Sequence, residues 1–273
     1  MKKCHTWPIG VCSWSIYNDF EKINILMESL GFEHIHLDLR PVCIEQSAEY
    51  MRQVRRQNWI ISSTMIGFPQ EDYSTLEMIR KTGGIVPDEY WQRNRQLFVK
   101  AIEATKTLDA EYLSAHIGFI DHSQPADYQK LLGRVSSLAD EALEQKVVLL
   151  METGQESADD LKRFLQELNH PAVGVNFDPA NMILYDKGDP ILAVKMLAPW
   201  IKHVHIKDAI LTSTPGTWGA EVPWGMGQVG AKHFLESLRE IQYDGTVAVE
   251  REAGQSRFQD IRSAIESLIA FEG

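Results

Sequence analysis

The chain has 273 residues, 44% of them hydrophobic and 24% charged, and a formal net charge of −11. That length builds a substantial core as one large α/β domain or two small ones, without disulfide staples. The acidic balance argues against nucleic acid or an anionic membrane surface as the main partner, since both select basic patches. An anionic small molecule stays open, because a pocket, or a divalent cation bound in it, can oppose the net charge. Cys4, Cys12 and Cys43 are odd in number with no CxxC, which fits buried or free thiols rather than a disulfide framework. No Asn-X-Ser/Thr sequon occurs, MKKCHTWPIGVCSW lacks the apolar run of a signal peptide, and no stretch approaches a bilayer span. The expected location is the cytoplasm, with no membrane partner.

β-rich runs alternate with longer amphipathic ones along the chain. The predicted strands are 9–14, 34–39, 59–65, 112–117, 147–152, 173–178, 201–208 and 246–250. The clearest helical patterns cover 20–31, 88–109, 127–146, 157–168, 189–200, 231–241 and 256–271, with Ser157 and Asp189 as N-caps and Gly31 as a C-cap. Eight strand–helix units in about 250 residues imply a single-domain (β/α)8 TIM barrel spanning residues 1–273. The competing doubly wound sheet would place a Gly-rich turn after the first strand, and VCSWSIYNDF has none. Two long connections, 66–87 and 209–230, follow strands and should lie on the C-terminal face, where barrel enzymes keep their active sites.

Strand alternation then sorts the ionisable residues, since side chains at i and i+2 share a face. One face of the fifth strand ends in Glu152, of the sixth in Asp178 and of the eighth in Glu250; the seventh carries His203, His205 and Lys207. If these faces point inward, three carboxylates and an imidazole converge, and their mutual repulsion asks for a cation. Three hard oxygens and one nitrogen suit one divalent ion, Mn²⁺, Mg²⁺ or Co²⁺, with Zn²⁺ and Fe²⁺ also allowed. A lone strand-end carboxylate is usually a solvated loop residue; four ionisable groups in register are not read that way. His203, one step deeper, is expected to be a hydrogen-bonded core histidine, and Lys202 a surface residue.

His36, Asp38, Ser114 and His116 also fall on inward faces. His116 reads equally as a substrate contact or a barrel-wall histidine. Lys207 reads equally as a substrate contact or a carboxylate partner. Trp14 is a candidate apolar wall for a sugar ring, or packs under a loop. Glu156 could reach back into the site or act in the first turn of its helix. Trp218, Glu221 and Trp224, in the second long connection, could shape the pocket or a subunit contact, so a homo-oligomer is compatible with the chain.

VVLLMETG, VGVNFDPAN, HVHIKD and VAVERE resemble the motifs of the xylose isomerase-like TIM barrels, the sugar phosphate isomerase/epimerase branch above all, over nearly the whole chain. The resemblance implies metal ligands at Glu152, Asp178, His205 and Glu250, with Glu152 and Glu250 as the acid/base pair, and Asn181 and Lys207 near a small-molecule carbohydrate substrate. Asn181 stands where many members carry His, and no Arg follows the seventh strand; both depart from the free-ketohexose 3-epimerases. The implied activity is a divalent-metal-dependent isomerase or epimerase working on a ketose, keto-sugar or related polyol through an enediolate. The alternatives are a lyase of the same superfamily, an endonuclease IV-like phosphodiesterase, and a non-catalytic sugar-binding protein.

Overall fold

The β-branched runs fold as a closed parallel barrel in the computed structural model, which describes residues 2–45 and 47–271. Its strands are β1 (Trp7–Cys12), β2 (His34–Asp38), β3 (Ile60–Met65), β4 (Tyr112–Ala115), β5 (Val148–Glu152), β6 (Val173–Phe177), β7 (Ile201–Ile206) and β8 (Val247–Val249). Each pairs parallel with its sequence neighbours, and β1 pairs with both β2 and β8, which closes the ring. A two-residue strand, Lys3–Cys4, adds antiparallel to β1.

Alternation does the sorting. Ile9, Val11, Ile35, Leu37, Val175 and Phe177 face outward and are fully buried under the helices. The inward positions include Cys12, His36, Leu150, His205 and Ala248, also buried. The ring has two irregularities in register. One lies where β2 meets β3, between Ile35 and His36; the other lies where β6 meets β7, between Val175 and Asn176. The first admits Ser62, whose hydroxyl reaches His203 across the interior at 3.1 Å.

The outer layer comprises α1 (Phe20–Leu30), α2 (Arg40–Cys43), α3 (Ala48–Val54), α4 (Leu76–Thr82), α5 (Asp88–Thr107), α6 (Pro125–Glu144), α7 (Ala158–Leu168), α8 (Pro179–Leu184), α9 (Pro190–Leu197), α10 (Ala231–Glu240) and α11 (Arg257–Ile269). Ser157 caps α7 by accepting from Asp160 N, Asp189 caps α9, and Gly31 ends α1 at φ 74°. The short helices α2, α3, α4 and α8 have no counterpart among the clear sequence patterns, because each is too brief to show a periodic face. The first strand ends at Cys12, so Trp14 sits in a 3₁₀ turn (Ser13–Ile16) rather than at a strand end. Glu250 and Asp178 likewise follow their strands by one residue. Among the described residues no helix is long and apolar enough to cross a membrane.

Both long connections lie at the C-terminal mouth. Within 66–87, Glu71 accepts from Phe68 N (2.9 Å) and Gly84 N (3.0 Å), which folds the segment onto itself. The second connection opens as a hairpin pairing Asp208–Ile210 with Ala220–Val222. Asp208, 1% exposed, gathers the rest: Oδ1 accepts from Ala209 N and Val229 N, and Oδ2 from Gly225 N and Gly227 N, at 2.9–3.0 Å. At residue 227 a Cβ would lie 2.2 Å from Asp208 Oδ1, so glycine is required by that close approach. Arg251 Nη1 donates to Glu221 at 2.6 Å and clamps the hairpin to the segment after β8. Asp208→Ala strands four backbone donors and is expected to cost about 3 kcal/mol. Hydrogen exchange should show the loss of protection concentrated in 223–229, with the barrel strands unaffected.

Candidate metal centre and active site

At the C-terminal floor of the barrel, one donor atom each from Glu152, Asp178, His205 and Glu250 lies within 4.8 Å of the others. His205 Nδ1 stands 3.2 Å from Glu250 Oε2, 3.4 Å from Glu152 Oε1 and 3.5 Å from Asp178 Oδ2. All four residues are at least 95% buried.

Each side chain is steadied from behind. Asp178 is the N-cap of α8: Oδ1 accepts from Ala180 N and Asn181 N, and Pro179 at the first turn leaves that end open to it. Its Oδ2 is left facing the cluster. Glu152 Oε1 accepts from Asn181 Nδ2 at 3.1 Å. Glu250 Oε1 accepts from Trp14 Nε1 at 2.6 Å, and Oε2 from Lys207 Nζ at 2.9 Å. At residue 154, φ is +138° and a Cβ would lie 2.4 Å from Asn181 Cβ, so only glycine lets the β5 loop pass α8.

The histidine is oriented by a hydrogen-bonded stack. His205 Nε2 meets His36 Nδ1 at 2.9 Å, and His36 Nε2 meets the Thr64 carbonyl at 3.2 Å. The carbonyl can only accept, so the His36 proton belongs on Nε2 and its Nδ1 accepts from His205 Nε2–H. In the neutral ring that arrangement puts the lone pair of His205 on Nδ1, toward the carboxylates, and asks the Asn176 amide, 3.2 Å from Nε2, to turn its oxygen rather than its Nδ2 to that N–H. His203 bonds Asn176 at 2.9 Å and Ser62 at 3.1 Å, and is the satisfied core histidine expected from its depth. Burial, followed by the nearby His205 charge, pushes His36 down to about 3, and burial holds His203 well below the usual imidazole range.

Glu152 Oε2, Asp178 Oδ2 and His205 Nδ1 are buried with no hydrogen-bond partner. Each unmade bond costs about 1–3 kcal/mol, and three converging on one point is the arrangement a cation satisfies. Three carboxylates and one imidazole fit a hard or borderline divalent ion. Without the ion, the pocket answers its own charge. Burial disfavours the imidazolium of His205, but Cys12, then Glu250 and Glu152, outweigh it and raise the pKa well above normal. Burial likewise works against ionised Glu250, yet Lys207 and His205 hold its carboxyl well below the usual range. Asp178 goes the other way: its burial exceeds what Lys207 returns, and its pKa is raised.

Above the floor opens a cleft of about 490 Å³. Trp14, His116, Asn181 and Lys207 line it, together with Glu152 and Glu250. Glu156 does not: it is 6% exposed, lies outside the cleft lining, and burial pushes its carboxyl up to about 8. Of the tryptophans in the second long connection, Trp218 lines the cleft, whereas Trp224 packs edge-on to Phe234 of α10 at 6.2 Å. Sequence reasoning missed Arg40, Glu71, Tyr73, Tyr185 and Glu252 in the lining. Only Glu252 carried a signal, since it shares parity with Glu250; the others come from short helices and loops without a period.

A closed parallel barrel that brings three carboxylates and an imidazole to one buried point defines a (β/α)8 barrel with a donor cluster that could hold a metal ion. The chain belongs to the xylose isomerase-like TIM barrel family, whose description matches residues 25–271. It is similar to an uncharacterized protein of Bacillus subtilis (strain 168), YfiH, at 31% identity over 117 residues. That match spans 36% of this chain and only 37% of the relative's length. Among solved structures, a xylose isomerase domain protein from Planctomyces limnophilus superposes with a TM-score of 0.86 at 29% identity, covering 97% of this chain and 96% of that one. A xylose isomerase-like TIM barrel protein from Mycobacterium smegmatis, solved in complex with magnesium, gives 0.73 at 20% identity over 99% and 98%. The probable 3-DHS dehydratase AsbF from Bacillus anthracis gives 0.73 at 16% over 96% and 98%. Several sugar epimerases share the fold at TM-scores of 0.67–0.72 and 14–18% identity.

The surrounding carboxylates favour the imidazolium of His205, so a divalent cation that uses Nδ1 competes with a proton there. Titration of Mn²⁺ into metal-free protein at pH 7, in buffers of different ionisation enthalpy, should show about one proton released per ion. The sign follows: affinity rises with pH and falls as acid protonates the site. A second expectation concerns the stack. His36→Leu, which removes the acceptor for His205 Nε2–H, should weaken Mn²⁺ binding about 10–100-fold in the same calorimetric titration.

Proposed function

We propose that the protein is a divalent-metal-dependent isomerase or epimerase of a polyhydroxylated carbonyl compound. The observation that carries this reading is that Glu152 and Glu250 belong both to the cation cluster and to the cleft lining. Glu152, Asp178, His205 and Glu250 would hold the ion, which when bound polarises the substrate carbonyl and offsets negative charge developing there.

The chain's own residues supply the rest. Glu152 ends β5 and Glu250 follows β8, with β6 and β7 between them, so the two carboxylates approach a substrate from different sides of the floor. One removes the proton next to the carbonyl, giving an enediolate; return of a proton at the other face inverts that carbon, and return at the neighbouring carbon isomerises. Trp14 and Asn181 hold the two glutamates in place through the hydrogen bonds described above. His116, which lines the cleft with its Nε2 3.7 Å from Glu152 Oε1, would bind a substrate hydroxyl. Lys207 keeps Glu250 ionised, so that its carboxylate is free to accept a proton. The same ammonium, hydrogen-bonded beside the cleft, favours a second reading, β-elimination of a hydroxyl, in which proton abstraction is followed by loss of water. The three cysteines are buried and free, which suits the cytoplasm.

The test is exchange of substrate carbon-bound hydrogen with D₂O, followed by NMR on manganese-loaded protein over ketoses, keto-sugars and inososes. Exchange with an isomeric product supports the isomerase or epimerase, and a dehydrated product supports elimination. Glu152→Gln and Glu250→Gln should each lower exchange about 10²–10⁴-fold while the circular dichroism spectrum is unchanged. Near-parental exchange by Glu250→Gln would remove it from the acid/base pair.

A further inference from the structure

The cleft is more acidic than a cation site requires. Asp38, Glu71, Glu221 and Glu252 line it in addition to the cluster carboxylates. Against these stand Arg40 and Lys207, the only Arg and Lys among the described residues of the lining. Both are already engaged. Arg40 Nε lies 3.0 and 3.1 Å from the two Asp38 oxygens, and Nη2 donates to Oδ2 at 2.9 Å, a forked pair that neutralises both partners. Lys207 Nζ donates to Glu250 and Glu252 at 2.9 Å each, with Asp178 at 3.7 Å and Glu221 at 3.9 Å. The one imidazole on the wall, His116, sits against Glu152. Seven carboxylates thus face the guanidiniums of Arg40 and of Arg251, which holds Glu221 at 2.6 Å, one ammonium and, when bound, the two charges of a divalent ion, which still leaves a formal excess of negative charge.

A phosphate or carboxylate group on the substrate would enter this field with no unpaired cation in the lining to receive it. Hydroxyl groups meet the opposite circumstance, since carboxylate oxygens accept from O–H. Trp218 and His116 line the cleft beside those carboxylates. An aromatic wall is present as well: Tyr185 and Trp218, packed edge to face at 4.8 Å and 71°, both line the cleft.

We propose that the cleft selects an uncharged polyhydroxylated carbonyl compound and rejects its phosphorylated or acidic counterparts, an inference that rests on the isomerase or epimerase reading above. It makes the local charge of the site match the sign of the whole chain.

The test pairs probes that differ only in charge: D-fructose and D-tagatose against their 6-phosphates, scored by deuterium uptake on manganese-loaded protein. The expected result is kcat/KM higher for the uncharged member by on the order of 100-fold. Asp38→Asn, which frees the Arg40 guanidinium, should narrow that gap by about tenfold. A binding arm, sorbitol against sorbitol 6-phosphate by calorimetry, reads the charge rule without turnover and should favour sorbitol. Equal or better exchange or binding of the phosphates overturns the inference and leaves the proposed reaction standing. Sorbitol favoured in binding, with no exchange of any ketose, keto-sugar or inosose, supports the charge rule and counts against the reaction.

Discussion

Three carboxylates buried within a few ångströms of each other are the constraint on which this site depends. Left alone they would repel strongly, and burial would penalise each charge again. The fold answers with an imidazole among them, an ammonium beside them and a helix N-terminus behind one of them. Those answers do not consume the donor set. Asp178 spends one oxygen on the N-terminus of α8 and leaves the other unpaired, and Glu152 spends one on Asn181 and leaves the other unpaired. The division is what makes the cluster a place for a cation rather than a closed salt-bridge network.

Orientation is inherited from further back. The carbonyl of Thr64 decides the tautomer of His36, and His36 decides which nitrogen of His205 faces the carboxylates. Thr64 belongs to β3 and His205 to β7, on opposite sides of the ring, so the chain of contacts exists only because the barrel closes. Asp208 performs a comparable task for the mouth. Its carboxylate gathers backbone groups from twenty-one residues of chain, and the hairpin it anchors carries Trp218 and Glu221 into the cleft. The stretch IKHVHIKD therefore has a structural residue at one end, a core histidine within, and two site residues between.

Parity along strands made much of this legible. Glu152, Asp178, His205 and Glu250 could be grouped from the alternation of their strands, because a parallel barrel turns every second side chain inward and ends all strands at one mouth. His203 could be assigned to the core and Lys202, which is exposed, to the surface on the same ground. The method fails where there is no period. Glu156 lies four residues beyond Glu152 in a loop, and the turn buries it away from the cleft. Arg40 and Tyr185 enter the lining from the starts and ends of helices too short to announce themselves. Trp14 lines the cleft, although a 3₁₀ turn and not a strand end presents it.

What the sequence by itself determined is the architecture and the cluster: the alternation of apolar strands and amphipathic helices, and the ionisable residues set at matching strand ends. These follow from local periodicity, which one strand or helix carries without reference to another. Only the tertiary structure decided which charges cancel. The pairing of Arg40 with Asp38, of Lys207 with Glu250 and Glu252, and of Arg251 with Glu221 depends on distances between loops that no periodicity encodes. Composition left the sign of the pocket open; ion pairing across the mouth decides which lining charges are already answered, because Coulomb interactions depend on separation and burial rather than on how many charges the chain contains.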